Sequence, residues 1–162
     1  MSDPNSIEPG PSETTPVTVV IGPAPFNAHE GIAELLRSAA LPVPDPEDSP
    51  VQMMAAFAGP HLIGCIGWEQ YGASALVRSL AVLEDVRGEG VGTALVGALV
   101  AVLKGIGVDE AWLLTTDAAG WFERHDFERT DREAIPEAVR VAREIRLPCC
   151  ATAQVMRRRL DS

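Results

Sequence analysis

Residues 79–96, SLAVLEDVRGEGVGTALV, pass from an apolar strand-like run through three glycines at alternate positions and then resume with helical spacing. Glycine costs about 0.5–1 kcal/mol relative to alanine inside regular structure. Gly88, Gly90 and Gly92 therefore need a reason, which is either close packing of helix on strand or a ligand. A strand that ends in glycines and feeds a helix start leaves free backbone N–H groups at the positive end of the helix dipole, an arrangement that binds phosphate oxygens. Arg87, just ahead of the glycines, can add charge-assisted hydrogen bonds. Two standard nucleotide loops are excluded by spacing. No lysine follows the glycines as a P-loop requires, and the interval after the second glycine is too short for a dinucleotide fingerprint.

The rest of the chain alternates strands and helices. PVTVVIG reads as a first strand, and a capping-box pattern at Asn27 and Glu30 with an apolar face at Ile32, Leu35, Leu36 and Ala39 predicts a helix over 27–40. LPVPDPEDSP then forbids helix and predicts a loop. VQMMAAFA and HLIGCIGWEQYG, divided by Gly59-Pro60, predict a hairpin, and SALVRSLAVLED a further strand paired with the second arm. A helix of about four turns follows the glycines. EAWLLTT, FERTD and CATAQVMRR predict strands, and DAAGWFERH and PEAVRVAREIR helices. One strand-glycine-helix crossover among these elements indicates a mixed α/β sheet.

With 162 residues, 46% of them hydrophobic, the chain suits one domain with a proper core. Residues 1–15, MSDPNSIEPGPSETT, carry too little apolar surface to offset their ordering entropy and are read as a disordered leader, leaving 16–162 as the domain. A formal net charge of −10 argues against nucleic acid or an anionic membrane as partner. Arg157, Arg158 and Arg159 are the exception, read as a strand end reaching solvent. No apolar run approaches the roughly 18–20 residues of a membrane helix, and no signal-peptide layout opens the chain, so the expected location is cytoplasmic. Cys65, Cys149 and Cys150 lack metal-ligand spacing, so no metal is expected, and the adjacent pair is read as spare thiols.

Arg87-Gly88-Glu89-Gly90-Val91-Gly92 resembles the Arg/Gln-x-x-Gly-x-Gly/Ala motif of the GNAT superfamily, the acyl-CoA-dependent N-acetyltransferases. An apolar strand leads into it, a helix leads out, and WFERHDF is similar to the family's later segment ending in Gly-Phe. The resemblance covers roughly 16–160. It implies the GNAT fold, a mixed, mostly antiparallel splayed sheet flanked by helices, with acetyl-CoA as acetyl donor. By the same resemblance the backbone of Leu80, Ala81 and Val82 would bind the pantetheine arm. Amides from Arg87, Gly88, Glu89, Gly90, Val91 and Gly92, with Thr93, would hold the pyrophosphate. The family's general-acid tyrosine is replaced by Phe122, which cannot donate a proton, and Asp126 stands where the family has glycine before Phe127.

Only the free base of an amine attacks a thioester, and a nearby carboxylate is the usual means of deprotonation. Glu69 closes an otherwise apolar strand and is the candidate base, with a solvent-facing strand end as the plain alternative. Strand alternation places Arg78 on one face with Leu76, Leu80 and Val82. A permanent charge in an apolar row must be paired, either with a protein carboxylate or with a ligand's. Tyr71, the only tyrosine, is read as a turn-packing aromatic, and His29, His61 and His125 as edge residues. The strings around Arg78, Thr115 and Thr116 also resemble the arsenic-resistance N-acetyltransferase branch, although Pro148 precedes Cys149 and Thr152 replaces a serine. That branch implies acetylation of the α-amine of amino acids or of toxic mimics, organoarsenicals included. Glu69 would then handle the amine, Arg78 clamp the carboxylate, and Ser79, Thr115 and Thr116 line the substrate site. The partner is a small-molecule amine, and a homodimer through the final strand fits the family. Acetylation of a protein or peptide amine, and a non-catalytic acyl-CoA-binding module, are the competing readings.

Overall fold

Ser74, Ala75 and Leu76 pair in parallel with Glu110, Ala111 and Trp112, and there the pairing of those two strands stops. Around this short contact the described residues, 18–44, 50–146 and 152–160 of a computed structural model, build one seven-stranded sheet. The residues read as a leader and the cysteines Cys149 and Cys150 lie outside the described residues. In chain order the elements are β1 (Val19–Pro23), α1 (His29–Ser38), β2 (Gln52–Ala58), β3 (His61–Tyr71), β4 (Ser74–Val82), α2 (Val91–Gly105), β5 (Glu110–Thr115), α3 (Ala119–Glu123), β6 (Glu128–Thr130), α4 (Glu137–Arg140), α5 (Arg143–Arg146) and β7 (Gln154–Arg159). The strand order is β1-β2-β3-β4-β5-β7-β6, antiparallel everywhere except between β4 and β5. The mixed, mostly antiparallel sheet expected from the sequence is the sheet observed.

Helices cover both faces. On one, α2 buries Val91, Leu95, Val96, Leu99, Val100 and Leu103 against Ile63, Ile66, Val77 and Leu113. Its apolar residues run most of the way round, as a helix laid across the centre of a sheet requires. On the other face α1 packs Ile32, Leu35 and Leu36 on Ala55, Cys65 and Ala81, while Ile135, Val139 and Ala142 pack on Leu76, Trp112 and Val155.

Helix ends differ from the sequence reading. The chain reaches α1 through a 3-10 turn at Phe26–Ala28, and Ala28 is its N-cap with no side-chain cap, so the capping box read at Asn27 and Glu30 does not form. Burial of the apolar face, not capping, holds this helix. It ends in a Schellman motif, with Leu41 N–H on the Leu36 carbonyl, Ala40 N–H on that of Arg37, and Ala40 left-handed at φ 59°. The helix predicted over 136–146 is instead two short helices. Its first piece tightens into a three-residue bond, Ala142 N–H to the Val139 carbonyl at 3.0 Å, and stops there.

A bulge in β4 changes which residues share a face. Ala81 opposes Cys65 and Arg78 opposes Gly67, so β4 carries one extra residue between them, and Ser79 there is left-handed at φ 59°. Ala75 and Val77 face α2 before the bulge, whereas Leu80 and Val82 face it afterwards. Strict alternation, which put Arg78 beside Leu80 and Val82, is therefore corrected. Arg78 keeps Leu76 as its same-face neighbour, and the later pair turns to the opposite side.

Candidate active site

Two parallel strands that pair for three residues and then part make a cleft. Beyond Leu76, β4 has β3 on one side and no strand partner on the side toward β5 among the described residues. Leu80, Ala81 and Val82 lie along that open edge. Their antiparallel register with β3 leaves alternate backbone groups free to pair with an extended ligand.

The glycine loop lies at the open end of this cleft. Gly88 and Gly90 have φ of 87° and 88°, a region that side chains strain to adopt, and an added Cβ at either would meet nothing within 4 Å. Both therefore serve backbone conformation beside open space. Gly92 serves packing instead, because its Cβ would stand 3.1 Å from the Trp121 ring. Gly90 is the N-cap of α2 and offers no side chain, and the first intrahelical bond runs from Ala94 N–H to its carbonyl at 3.0 Å. The amides of Val91, Gly92 and Thr93 come before it and lack intrahelical acceptors. Arg87 folds back, Nε donating to the Val82 carbonyl at 3.1 Å, which ties the loop to the end of β4. Thr93 bonds His125 Nε2 through its hydroxyl at 2.8 Å.

On the face away from α2, the candidate base and the candidate clamp meet. Arg78 Nη1 donates to Glu69 Oε2 at 2.8 Å, with side-chain exposures of 4% and 0%. Glu69 stands opposite Leu76, two positions along from the Gly67 that opposes Arg78, so period-two geometry puts both on one face. Arg78 Nε also bonds Ser79 Oγ at 3.2 Å, and the left-handed Ser79 is what turns that hydroxyl toward it. Tyr71 completes the group by donating its hydroxyl to Glu69 Oε1. Burial, and then the Glu69 carboxylate it donates to, hold its phenol above the usual tyrosine range. Tyr71 is therefore not the turn-packing aromatic expected from the sequence but the last residue of β3, bonded to Glu69. Its spacing of two from Glu69 on a continuous strand was the signal that places both on one face.

Thr115 and Thr116 part company. Thr115 is buried, and its Oγ1 accepts the Ala118 N–H at 3.0 Å, which fixes the turn into α3. Thr116 is exposed and lines a cavity of about 500 Å³ at the end of β5, together with Asp117, Arg129, Asp131, Arg132 and Gln154. Neither Glu69 nor Arg78 lines it. Phe122 is core, packed edge-on against Trp121 and Phe127 at 5.0 and 5.6 Å. Asp126, standing where the resembling family has glycine, is left-handed at φ 70°.

Residues 51–129 match the family model described as Acetyltransferase (GNAT) domain. An uncharacterised N-acetyltransferase of Chlorobaculum tepidum is 38% identical over 80 residues, 49% of this chain and 51% of that protein, so the chain spans about half the length of this curated relative. Among solved structures, N-acetylglutamate synthase from Neisseria gonorrhoeae, complexed with coenzyme A and N-acetyl-glutamate, superposes with a TM-score of 0.78 at 21% identity, over 91% of this chain and 36% of that one. The ribosomal-protein-S18-alanine N-acetyltransferase of Escherichia coli gives 0.69 at 15% identity, over 90% and 96%. PaiA N-acetyltransferase of Thermoplasma acidophilum, in complex with coenzyme A, gives 0.65 at 14%, over 88% and 99%. The chain has the GNAT fold, and residues 51–129 are the part of it that matches the GNAT acetyltransferase domain.

Proposed function

We propose that this chain is an acetyl-CoA-dependent N-acetyltransferase acting on the amine of a small amino-acid-like substrate by direct attack. One observation carries the cofactor half of the reading. The unpartnered edge of β4 after Leu76 ends at left-handed Gly88 and Gly90 and the uncapped start of α2, so a strand-like arm and an anion receptor lie in line. Acetyl-CoA, when bound, supplies a thioester whose carbonyl carbon accepts the amine. Backbone groups of Leu80, Ala81 and Val82 would hold its pantetheine amides, and the amides from Arg87 to Thr93 its pyrophosphate.

The acceptor half rests on Glu69 and Arg78. A zwitterion matches a buried ion pair, because its carboxylate can take the place of Glu69 on Arg78 while its ammonium meets Glu69, and the local charge sum stays unchanged. Glu69 would take one proton from the ammonium, and as the nitrogen bonds to the carbonyl carbon and the carbon–sulfur bond breaks, the nitrogen's second proton would pass to solvent water. Phe122 cannot protonate the departing thiolate, which takes its proton from water. Tyr71 holds Glu69 from its second oxygen. Amino acids and toxic mimics such as phosphinic or arsinic analogues share the required charge pattern.

Kinetics with paired substrates test the assignment. Arg78→Met should raise the apparent KM at least about tenfold for an amino acid while leaving that for its carboxamide within about twofold. Equal effects on acid and amide would remove the clamp. A non-catalytic acyl-CoA-binding module is the second reading, favoured by Phe122 in the acid's position. Calorimetry showing acetyl-CoA binding, with no turnover for any amine, would establish it.

A further inference from the structure

Thr93 stands in the first turn of α2 with Oγ1 2.8 Å from His125 Nε2. The other ring nitrogen, Nδ1, lies 2.8 Å from the Trp121 carbonyl oxygen, and the imidazole stacks on the Trp121 indole at 3.9 Å and 22°. Trp121 is itself seated on Gly92. The ring is thus fixed in position at the mouth of the glycine loop. A carbonyl oxygen only accepts, so Nδ1 carries a proton. In the neutral ring Nε2 is then bare, and Thr93 must donate to it.

That state is wrong for an anion. The Thr93 hydroxyl has spent its proton on His125 and turns only lone pairs toward the loop. If it swings its proton to a phosphate oxygen instead, lone pairs on Nε2 and Oγ1 face each other at 2.8 Å. A proton on Nε2 removes the conflict, since the imidazolium then donates to Thr93 and Thr93 donates to the phosphate. Negative charge on the ligand favours the same proton.

We propose that His125 and Thr93 form a proton-linked clamp for the cofactor's pyrophosphate, so that binding draws one proton from solvent onto His125. The proposal rests on the acetyl-CoA reading and adds His125 to its phosphate site. No covalent bond changes. Charged groups on the surrounding elements are Glu123, held by Arg129, with Arg124 and Asp126 beside it; Arg158 of β7, which donates to the His125 carbonyl at 3.1 Å and lies 3.7 Å from Asp126; and Arg87 and Glu89 ahead of α2. Imidazole is the side chain whose ordinary range lies inside the window from about pH 6 to about pH 8.5, while thiols enter it only at the upper edge.

The probe is S-acetyl-dephospho-CoA, which retains the pyrophosphate but has no free thiol and no 3′-phosphate to titrate. Calorimetry on the full chain should show its Kd rising at least about fivefold from about pH 6 to about pH 8.5, with a binding heat that depends on the buffer's ionisation enthalpy. In His125→Gln, and in the near-isosteric Thr93→Val, the Kd should vary less than about twofold over the same window. A flat wild-type profile overturns the proposal, as does a slope retained in either variant. If the wild-type chain binds neither this probe nor acetyl-CoA, the cofactor reading fails and the clamp with it.

Discussion

Arg78 and Glu69 form a buried ion pair, Nη1 to Oε2 at 2.8 Å, joined from the far side by the Tyr71 hydroxyl. A buried charge left without its partner costs about 3–5 kcal/mol. Arg78→Met alone should lose that much, read from urea denaturation. The double change with Glu69→Gln should lose less than the sum of the singles by about 1–3 kcal/mol. Additive losses would mean that the two groups do not depend on each other.

The glycine loop makes a separate prediction. Gly90→Ala forces a side chain to φ 88° and should cost about 1 kcal/mol or more of stability. It should also weaken acetyl-CoA binding about tenfold, while binding of S-acetylpantetheine, which has no pyrophosphate, stays unchanged. Equal loss for both ligands would place the effect outside the phosphate site.

Cys65 predicts alkaline behaviour. Burial raises its thiol from 9.0 to about 12, outweighing the Ala81 backbone hydrogen bond that lowers it. Because the folded value is the raised one, the stabilisation is complete below the unfolded value and is lost as pH climbs from about 9 toward about 12. Tyr71, also raised, contributes with the same sign above the ordinary tyrosine range. The urea midpoint should therefore fall between pH values of about 8 and about 10.5, and Cys65→Ala should fall less steeply. A slope unchanged by the substitution would contradict this origin.

Asp126 is left-handed in an exposed turn and makes a 3.7 Å contact to Arg158, which contributes little at 80% exposure. Asp126→Gly should stabilise the chain by about 0.5–1 kcal/mol, measured as a higher urea midpoint. Destabilisation would show that the aspartate, and not the backbone angle, governs this turn.

How far the sequence could be read follows from which interactions are local. The strand-glycine-helix crossover was legible because periodicity and glycine positions carry it, and it led to the right sheet. The faces of β4 were not, since the bulge at Ser79 depends on the register with β3 and reverses alternation in mid-strand. A permanent charge at Arg78 requires a partner on any reading of the sequence, yet only the pairing of two strands reveals that Glu69 stands at 2.8 Å. The Thr93–His125 bond joins residues 32 positions apart through Trp121 and Gly92, beyond any local pattern. In α1 the capping residues were present, but tertiary burial set the boundaries.

The most direct measurement is mass spectrometry of the full chain incubated with acetyl-CoA and an equimolar pool of amino acids and their decarboxylated amines. An acetyl-CoA cleft with an Arg78–Glu69 acceptor site requires N-acetylated amino acids to accumulate in step with free CoA, with the decarboxylated amines left unmodified. Free CoA at the rate of hydrolysis alone, with no acetylated product from either set, would contradict it.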